Sequence, residues 1–172
     1  MNDFRLLEIS DSYNISDFIK QSDIFIDRKN NMIGAHYNIQ EFDEVAIREH
    51  MFNYEIICFA SFIDNKIESI LYYVLPKDVS NVTSIELKLF TKVNSKKCNE
   101  FMDFSISKIK EIFGEVYKRV NIYIKQDELN IEFKNKLKEL KFIEEILLKN
   151  ELGVNQNVVV FTRFIQYERG TI

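Results

Sequence analysis

The stretch of chain best suited to chemistry lies between Thr91 and Phe101, which reads Lys-Val-Asn-Ser-Lys-Lys-Cys-Asn-Glu and separates a strand-like run from a helix-like one. A strand that ends in a turn and opens a helix leaves several backbone N–H groups without acceptors, aimed outward, and the helix dipole adds partial positive charge at the same place. A pyrophosphate fits that field. Lys96 and Lys97 can give charge to phosphates there, or stand simply solvated. Glycine in such a loop permits positive φ and close backbone approach to a ligand, so Lys97 and Asn99 add bulk where an anion would lie. Other reactive types are sparse. Cys58 and Cys98 have no CxxC spacing, and His36 and His50 lie apart without acidic partners at ligand spacing, so no metal site is legible. Both cysteines read as buried free thiols.

The elements that must position these groups follow from composition and period. With 172 residues, 46% of them hydrophobic, the chain can bury one substantial core, and one domain is expected. A net charge of -4 gives no pull toward nucleic acid or an anionic membrane, so neither is expected as a partner. There is no apolar run of about 18 residues, and Met1 to Ser10 carries acids instead of the basic start and apolar stretch of a signal peptide. A soluble, cytoplasmic protein is the expectation. Only 4 Gly and 1 Pro argue against collagen-like, linker-rich or many-turned all-β designs and leave mixed α and β.

Phe4 to Ile9 predicts a strand, and the capping residues from Asp11 to Ser16 open a short helix finishing at Gln21. From Ile24 to Asn38 no period holds, which reads as a long loop or a broken helix. Glu41 to Met51 resumes helical spacing through Phe42, Val45 and Ala46. Glu55 to Ile63 and Ile67 to Leu75 are dense β-branched and aromatic runs, joined by Asp64, Asn65 and Lys66 as a tight hairpin, with Pro76 ending the second. Thr83 to Val93 alternates Ile85, Leu87 and Leu89 against Ser84, Glu86 and Lys88, a third antiparallel strand with one polar face. Asn99 to Phe113 is helical and stops at Gly114; Val120 to Ile124 is a strand. Glu128 to Leu140 is a helix with Leu129, Phe133, Leu137 and Leu140 on its stripe, and Phe142 to Leu148 and Val158 to Ile165 are the last strands. The order is β, α, α, β, β, β, α, β, α, β, β.

That succession resembles the Gcn5-related N-acetyltransferase (GNAT) family, over nearly the whole chain. The family favours an Asn, an alanine three on, a Leu-Tyr pair and a closing Leu-Gly-Phe around its second-last helix. Asn130, Leu140 and Phe142 fall at the matching spacing, while Phe133 replaces the alanine, Leu137 the tyrosine and Lys141 the glycine. The family's loop of Arg or Gln, two residues, Gly, one residue, then Gly or Ala maps onto Asn94, Lys97 and Asn99, so both glycines are absent. The resemblance implies an α+β fold with a mixed sheet of about seven strands and about four helices, splayed between the family's fourth and fifth strands to admit acyl-coenzyme A.

It further implies an acyl-CoA-dependent N-acyltransferase, with acetyl-CoA as cosubstrate, no metal, and a primary amine of a small molecule or peptide as acceptor. The coenzyme arm would lie against the main chain of Leu89, Phe90 and Thr91, and its phosphates against Asn94, Ser95, Lys96, Lys97, Cys98 and Asn99, with Asn130 a further contact. Glu86 stands where family members often place a carboxylate base; otherwise it forms a cross-strand ion pair with a lysine. Tyr123 alternates away from Ile122 and Ile124 and can stand in for the missing tyrosine as the acid for the thiolate; otherwise it is an amphipathic ring at the core edge. The segment from Ile24 to Asn38, with His36, would border the acceptor pocket. The alternative is a GNAT-like domain without turnover that serves as a binding or interaction module, which would account for the lost glycines and tyrosine together. Monomer and homodimer are both open.

Overall fold

Turn and cap residues divide the chain into elements in a computed structural model that describes residues 3–21, 24–27, 43–76, 83–91, 97–151, 153–154 and 157–165. In chain order they are β1 (Asp3–Leu6), α1 (Ser12–Gln21), β2 (Ile24–Asp27), α2 (Glu44–Phe52), β3 (Ile56–Ile63) and β4 (Lys66–Val74). There follow β5 (Ser84–Thr91), α3 (Cys98–Phe113), β6 (Arg119–Lys125), α4 (Ile131–Glu139), β7 (Ile143–Leu148) and β8 (Val158–Phe164). Asp64 and Asn65 both take positive φ, 49° and 63°, so the β3–β4 hairpin closes on two left-handed residues with Ile63 opposite Lys66. Asp43 caps α2 by accepting the Ala46 N–H at 2.9 Å, and Asn130 caps α4 by accepting the Phe133 N–H at 2.8 Å. Gly114, at φ 58°, ends α3.

The strands form one sheet in the order β1-β3-β4-β5-β6-β8-β7, and β2 pairs with β5 outside that path. Every pairing is antiparallel except β5 with β6. The expected mixed sheet of about seven strands with about four helices is therefore present, with seven strands on the main path and β2 as an eighth. Period-2 alternation sorts the apolar side chains. Ile57, Phe59, Leu71, Tyr73, Ile85, Leu87, Val120 and Ile122 bury one face against Phe101, Met102, Ile106 and Ile109 of α3 and Leu137 of α4. Ile56, Cys58, Ala60, Ile70 and Tyr72 bury the other against Ile15 and Ile19 of α1 and Ile47 and Met51 of α2. Polar pins fix the layers. The Tyr73 hydroxyl meets Ser105 Oγ of α3 at 2.7 Å, and buried Arg163 of β8 donates to the Leu140 carbonyl at 3.1 Å and to the Asp103 carboxylate. Burial alone would raise the Asp103 carboxyl, but hydrogen bonds from Lys141 and Arg163 outweigh it and hold the group below its ordinary range.

Two expectations are corrected. The segment read as a loop or broken helix from Ile24 begins as strand β2; four residues are too few to show a period, and 28–38 lie outside the described residues. The regular pairing expected through Leu89 is interrupted after Leu87, because Tyr72 and Tyr73 are consecutive on β4 while their Cα partners on β5 are Leu89 and Leu87. Lys88 is the extra residue of a β-bulge.

The end of α4 explains one departure from the family motif. Lys141 N–H bonds the Lys138 carbonyl and Phe142 N–H the Leu137 carbonyl, both at 2.9 Å, which is a Schellman ending with Lys141 in the left-handed region at φ 62°. A side chain there is strained by roughly 1–2 kcal/mol. Lys141→Gly and Lys141→Ala both remove the exposed ion pair from Lys141 Nζ to Asp103 at 3.0 Å, so their difference isolates the backbone. The glycine variant should be the more stable of the two by about 1 kcal/mol, raising Tm by roughly 2–4 °C; an alanine variant as stable or more so would contradict the assignment.

Candidate active site

Parallel strands that each lead into a helix bring two helix starts to one end of the sheet, and α3 and α4 follow the carboxyl ends of β5 and β6. Between those ends the sheet opens. β5 and β6 pair only through Ser84 with Arg119, Ile85 with Val120 and Glu86 with Asn121, although both strands continue, β5 to Thr91 and β6 to Lys125. The bulge at Lys88 supplies the cause, since an inserted residue bends its strand and increases its twist just after the last shared pair. The edge of β5 beyond the parting is used by β2. β4 pairs with Glu86, Leu87, Leu89 and Phe90, so β6, which shares Glu86 with it, must lie on the opposite edge. β2 pairs with Leu89, Phe90 and Thr91 and shares two of those with β4, so it lies on the same edge as β6. The wedge between β5 and β6 thus receives the chain's own short strand along the β5 side.

The face of the parting away from α3 and α4 is polar. Glu86 and Lys88 are 4% and 1% exposed, with Lys88 Nζ 3.9 Å from Glu86 Oε1, a charge pair well removed from water. Asn121 lies directly opposite Glu86, and its amide donates to the Tyr123 hydroxyl at 3.4 Å. The Thr162 hydroxyl of β8 lies between Asn121 Oδ1 at 3.0 Å and Glu145 Oε2 of β7 at 2.5 Å, donating its one proton to an acceptor of this row. Burial pushes the Tyr123 phenol up; the Asn121 hydrogen bond lowers it in part, and the charge of Glu86 raises it. Glu86 and Tyr123, singled out separately in the sequence, therefore share one face, and the charge of Glu86 bears on the Tyr123 phenol. A carboxylate with an ammonium beside it can accept a proton, and a phenol that holds its proton through neutral pH can give one up.

At the start of α3, Lys97 occupies the cap position at φ -107°, and its carbonyl accepts the Phe101 N–H at 2.9 Å. Helix geometry leaves the amides of Cys98, Asn99 and Glu100 without intrahelical acceptors. Neither Lys97 nor Asn99 has positive φ, so the backbone here does not require the glycines of the family motif; only bulk toward a ligand is at issue. Cys98 turns into the core, and burial raises its thiol. Asn130 spends its side-chain oxygen on the α4 cap. Leu137 is fully buried in the core and offers no proton. Asn94, Ser95 and Lys96 lie outside the described residues, as do the side chains of Leu89, Phe90 and Thr91. Among the described residues no group of three His, Cys, Asp or Glu is placed to hold a metal ion, and no helix is long and apolar enough to cross a membrane.

A sheet with one parallel pair that parts after three residues, entered by two helix starts, matches many solved structures. The chain superposes on spermidine N-acetyltransferase from Vibrio cholerae with a TM-score of 0.65 at 13% identity, over 99% of this chain and 98% of that one. The fold is that of the Gcn5-related N-acetyltransferases. Other structures with this GNAT fold include aminoglycoside 6'-acetyltransferase type Ii, with a TM-score of 0.63 at 13% identity over 96% and 99% of the two chains. An acetyltransferase of the GNAT family from Streptococcus pneumoniae gives 0.62 at 11% identity over 96% and 100%. No protein-family model matches the sequence, and no curated protein matches it significantly.

Within the GNAT fold, three features escaped the sequence reading: the bulge at Lys88, the Asn121–Thr162–Glu145 row, and β2 on the β5 edge. Only Lys88 carried a signal, as a cation two residues from Glu86 on one strand. If the buried pair acts as a unit, Lys88→Met alone should destabilise by about 3 kcal/mol or more, because it strands a charge away from water. Adding Glu86→Gln should then recover part of the loss, giving a coupling energy of about 1–3 kcal/mol in a double-mutant cycle by urea unfolding. Additive losses would show that the two groups do not depend on each other.

Proposed function

We propose that this protein is an acyl-CoA-dependent N-acyltransferase that moves an acetyl group from acetyl-CoA to a primary amine of a small molecule or peptide. The observation that carries the reading is the parting of β5 from β6 after Glu86, beside a buried carboxylate, with only the short strand β2 on the β5 edge beyond it among the described residues. Proteins of the same fold named for spermidine and aminoglycosides, both amine-bearing acceptors, support the substrate class. An extended coenzyme arm suits the β5 edge at Leu89, Phe90 and Thr91. Its phosphates suit the amides of Cys98, Asn99 and Glu100, with Lys97 and the neighbouring Asn94, Ser95 and Lys96 adding side chains.

Glu86 takes the proton of the acceptor amine, with Lys88 Nζ 3.9 Å away beside the carboxylate. The C–N bond forms as the thioester C–S bond breaks, backbone N–H groups of the wedge hold the developing oxyanion, and Tyr123 gives its proton to the sulfur. An amide and a thiol result. Asn121 orients the Tyr123 hydroxyl, and the Thr162 hydroxyl in turn holds the Asn121 side-chain oxygen. The second reading, a binding module without turnover, is favoured by β2 lying on the coenzyme edge.

Acetyl-CoA at about one hundred times its Kd should stabilise the protein by about 2.7 kcal/mol and raise Tm by roughly 5–10 °C. With a panel of polyamines, aminoglycosides and peptides, thiol release should appear for at least one amine, and Glu86→Gln should lower its rate by about 10²–10⁴ with the thermal shift kept. No shift at millimolar acetyl-CoA would favour the module, and a shift with an unaltered Glu86→Gln rate would remove that residue as the base.

A further inference from the structure

β2 is a poorly anchored strand. It has four residues, its register against β5 slips between Ile24 and Ile26, and among the described residues it pairs with β5 alone. Its pairing nevertheless falls on Leu89, Phe90 and Thr91, within the stretch of β5 edge beyond Glu86 that β6 has left. An unpaired strand edge accepts any extended chain that carries amides at the right spacing, and a peptide strand and the amide-bearing arm of an acyl-coenzyme both meet that requirement. One edge holds one of them at a time.

We propose that β2 and the coenzyme arm compete for the Leu89–Thr91 edge, so that the protein opens its cleft by trading its own strand for the acyl donor. The exchange is close to balanced, because backbone bonds to β2 are replaced by bonds to the arm and β5 is never left bare. The apparent affinity for the coenzyme is therefore the intrinsic affinity scaled by the fraction of molecules in which β2 has let go. Whatever else binds β2, or disfavours its pairing, would tune acyl transfer from outside the catalytic face. This inference rests on the N-acyltransferase reading, and the test below separates the two.

Ile26 and Phe90 are Cα partners, so Ile26→Cys combined with Phe90→Cys permits a disulfide that locks β2 onto β5, while native Cys58 and Cys98 are buried. Acetyl-CoA binding by calorimetry should fall by about 100-fold or more in the oxidised protein and return on reduction. Equal affinity in both states would overturn the competition and leave the acyltransferase reading standing. Absence of binding in the reduced double variant and in the unaltered protein alike would overturn both. Ile26→Pro, which weakens strand pairing without a crosslink, should tighten acetyl-CoA binding by about tenfold; weaker binding would contradict the proposal. In the unaltered protein, acetyl-CoA should speed amide hydrogen exchange in the peptide covering 24–27 while 89–91 stays protected, and slower exchange at 24–27 would make β2 part of the binding site instead.

Discussion

Two parallel strands that share only three residue pairs leave two rows of backbone N–H and C=O groups facing a gap, and buried peptide groups without partners cost too much to persist. That constraint organises this protein. The β-bulge at Lys88 forces the parting, and everything nearby answers the question of what satisfies the exposed edge of β5. β2 answers it within the chain, through Leu89, Phe90 and Thr91. On the N-acyltransferase reading proposed above, an acyl-coenzyme arm would be the answer drawn from outside, and the two helix starts at the same end of the sheet would take its phosphates.

The division of the sheet into an apolar and a polar face gives the gap its chemistry. On the α3 and α4 side the core is continuous from Ile57 and Tyr73 to Ile122 and Leu137, and burial pushes up the Tyr73 phenol and the Cys98 thiol there, so both hold their protons. Across the sheet, Glu86, Lys88, Asn121, Tyr123 and Thr162 interrupt the apolar surface around the parting. Charges buried so fully are costly unless paired, and Lys88 beside Glu86 supplies that pairing at the parting. Leu137, at the family's tyrosine position, is buried and has no proton to give, and in the proposed reaction Tyr123 of β6 would take that part.

Much of this was legible in the residues, and for identifiable reasons. The Asp64–Asn65 hairpin and the Gly114 stop rest on local rules and appear where the pattern placed them, whereas the α2 stripe expected through Val45 is exposed, with Ile47 and Met51 buried instead, and α4 begins at Ile131, so Leu129 stands before it. Glu86 and Tyr123 could be chosen singly because alternation assigns a face from the sequence alone. Their proximity could not, because it depends on β5 and β6 being parallel with Glu86 opposite Asn121. The bulge was hidden for a similar reason, since it is a property of the pairing with β4 and leaves no composition behind. β2 is too short for periodicity to register and takes its identity from the edge it covers. The absent glycines gave a misleading signal in one respect: φ at Lys97 is right-handed, so that position never needed glycine for its backbone.

The most direct test of the account is a crystal structure of the protein grown with coenzyme A. The account predicts the extended arm hydrogen-bonded along β5 at residues 89–91, its sulfur at the parting near Glu86 and Tyr123, and β2 displaced from that edge. Coenzyme bound elsewhere on the surface, with β2 still paired to β5, would contradict it.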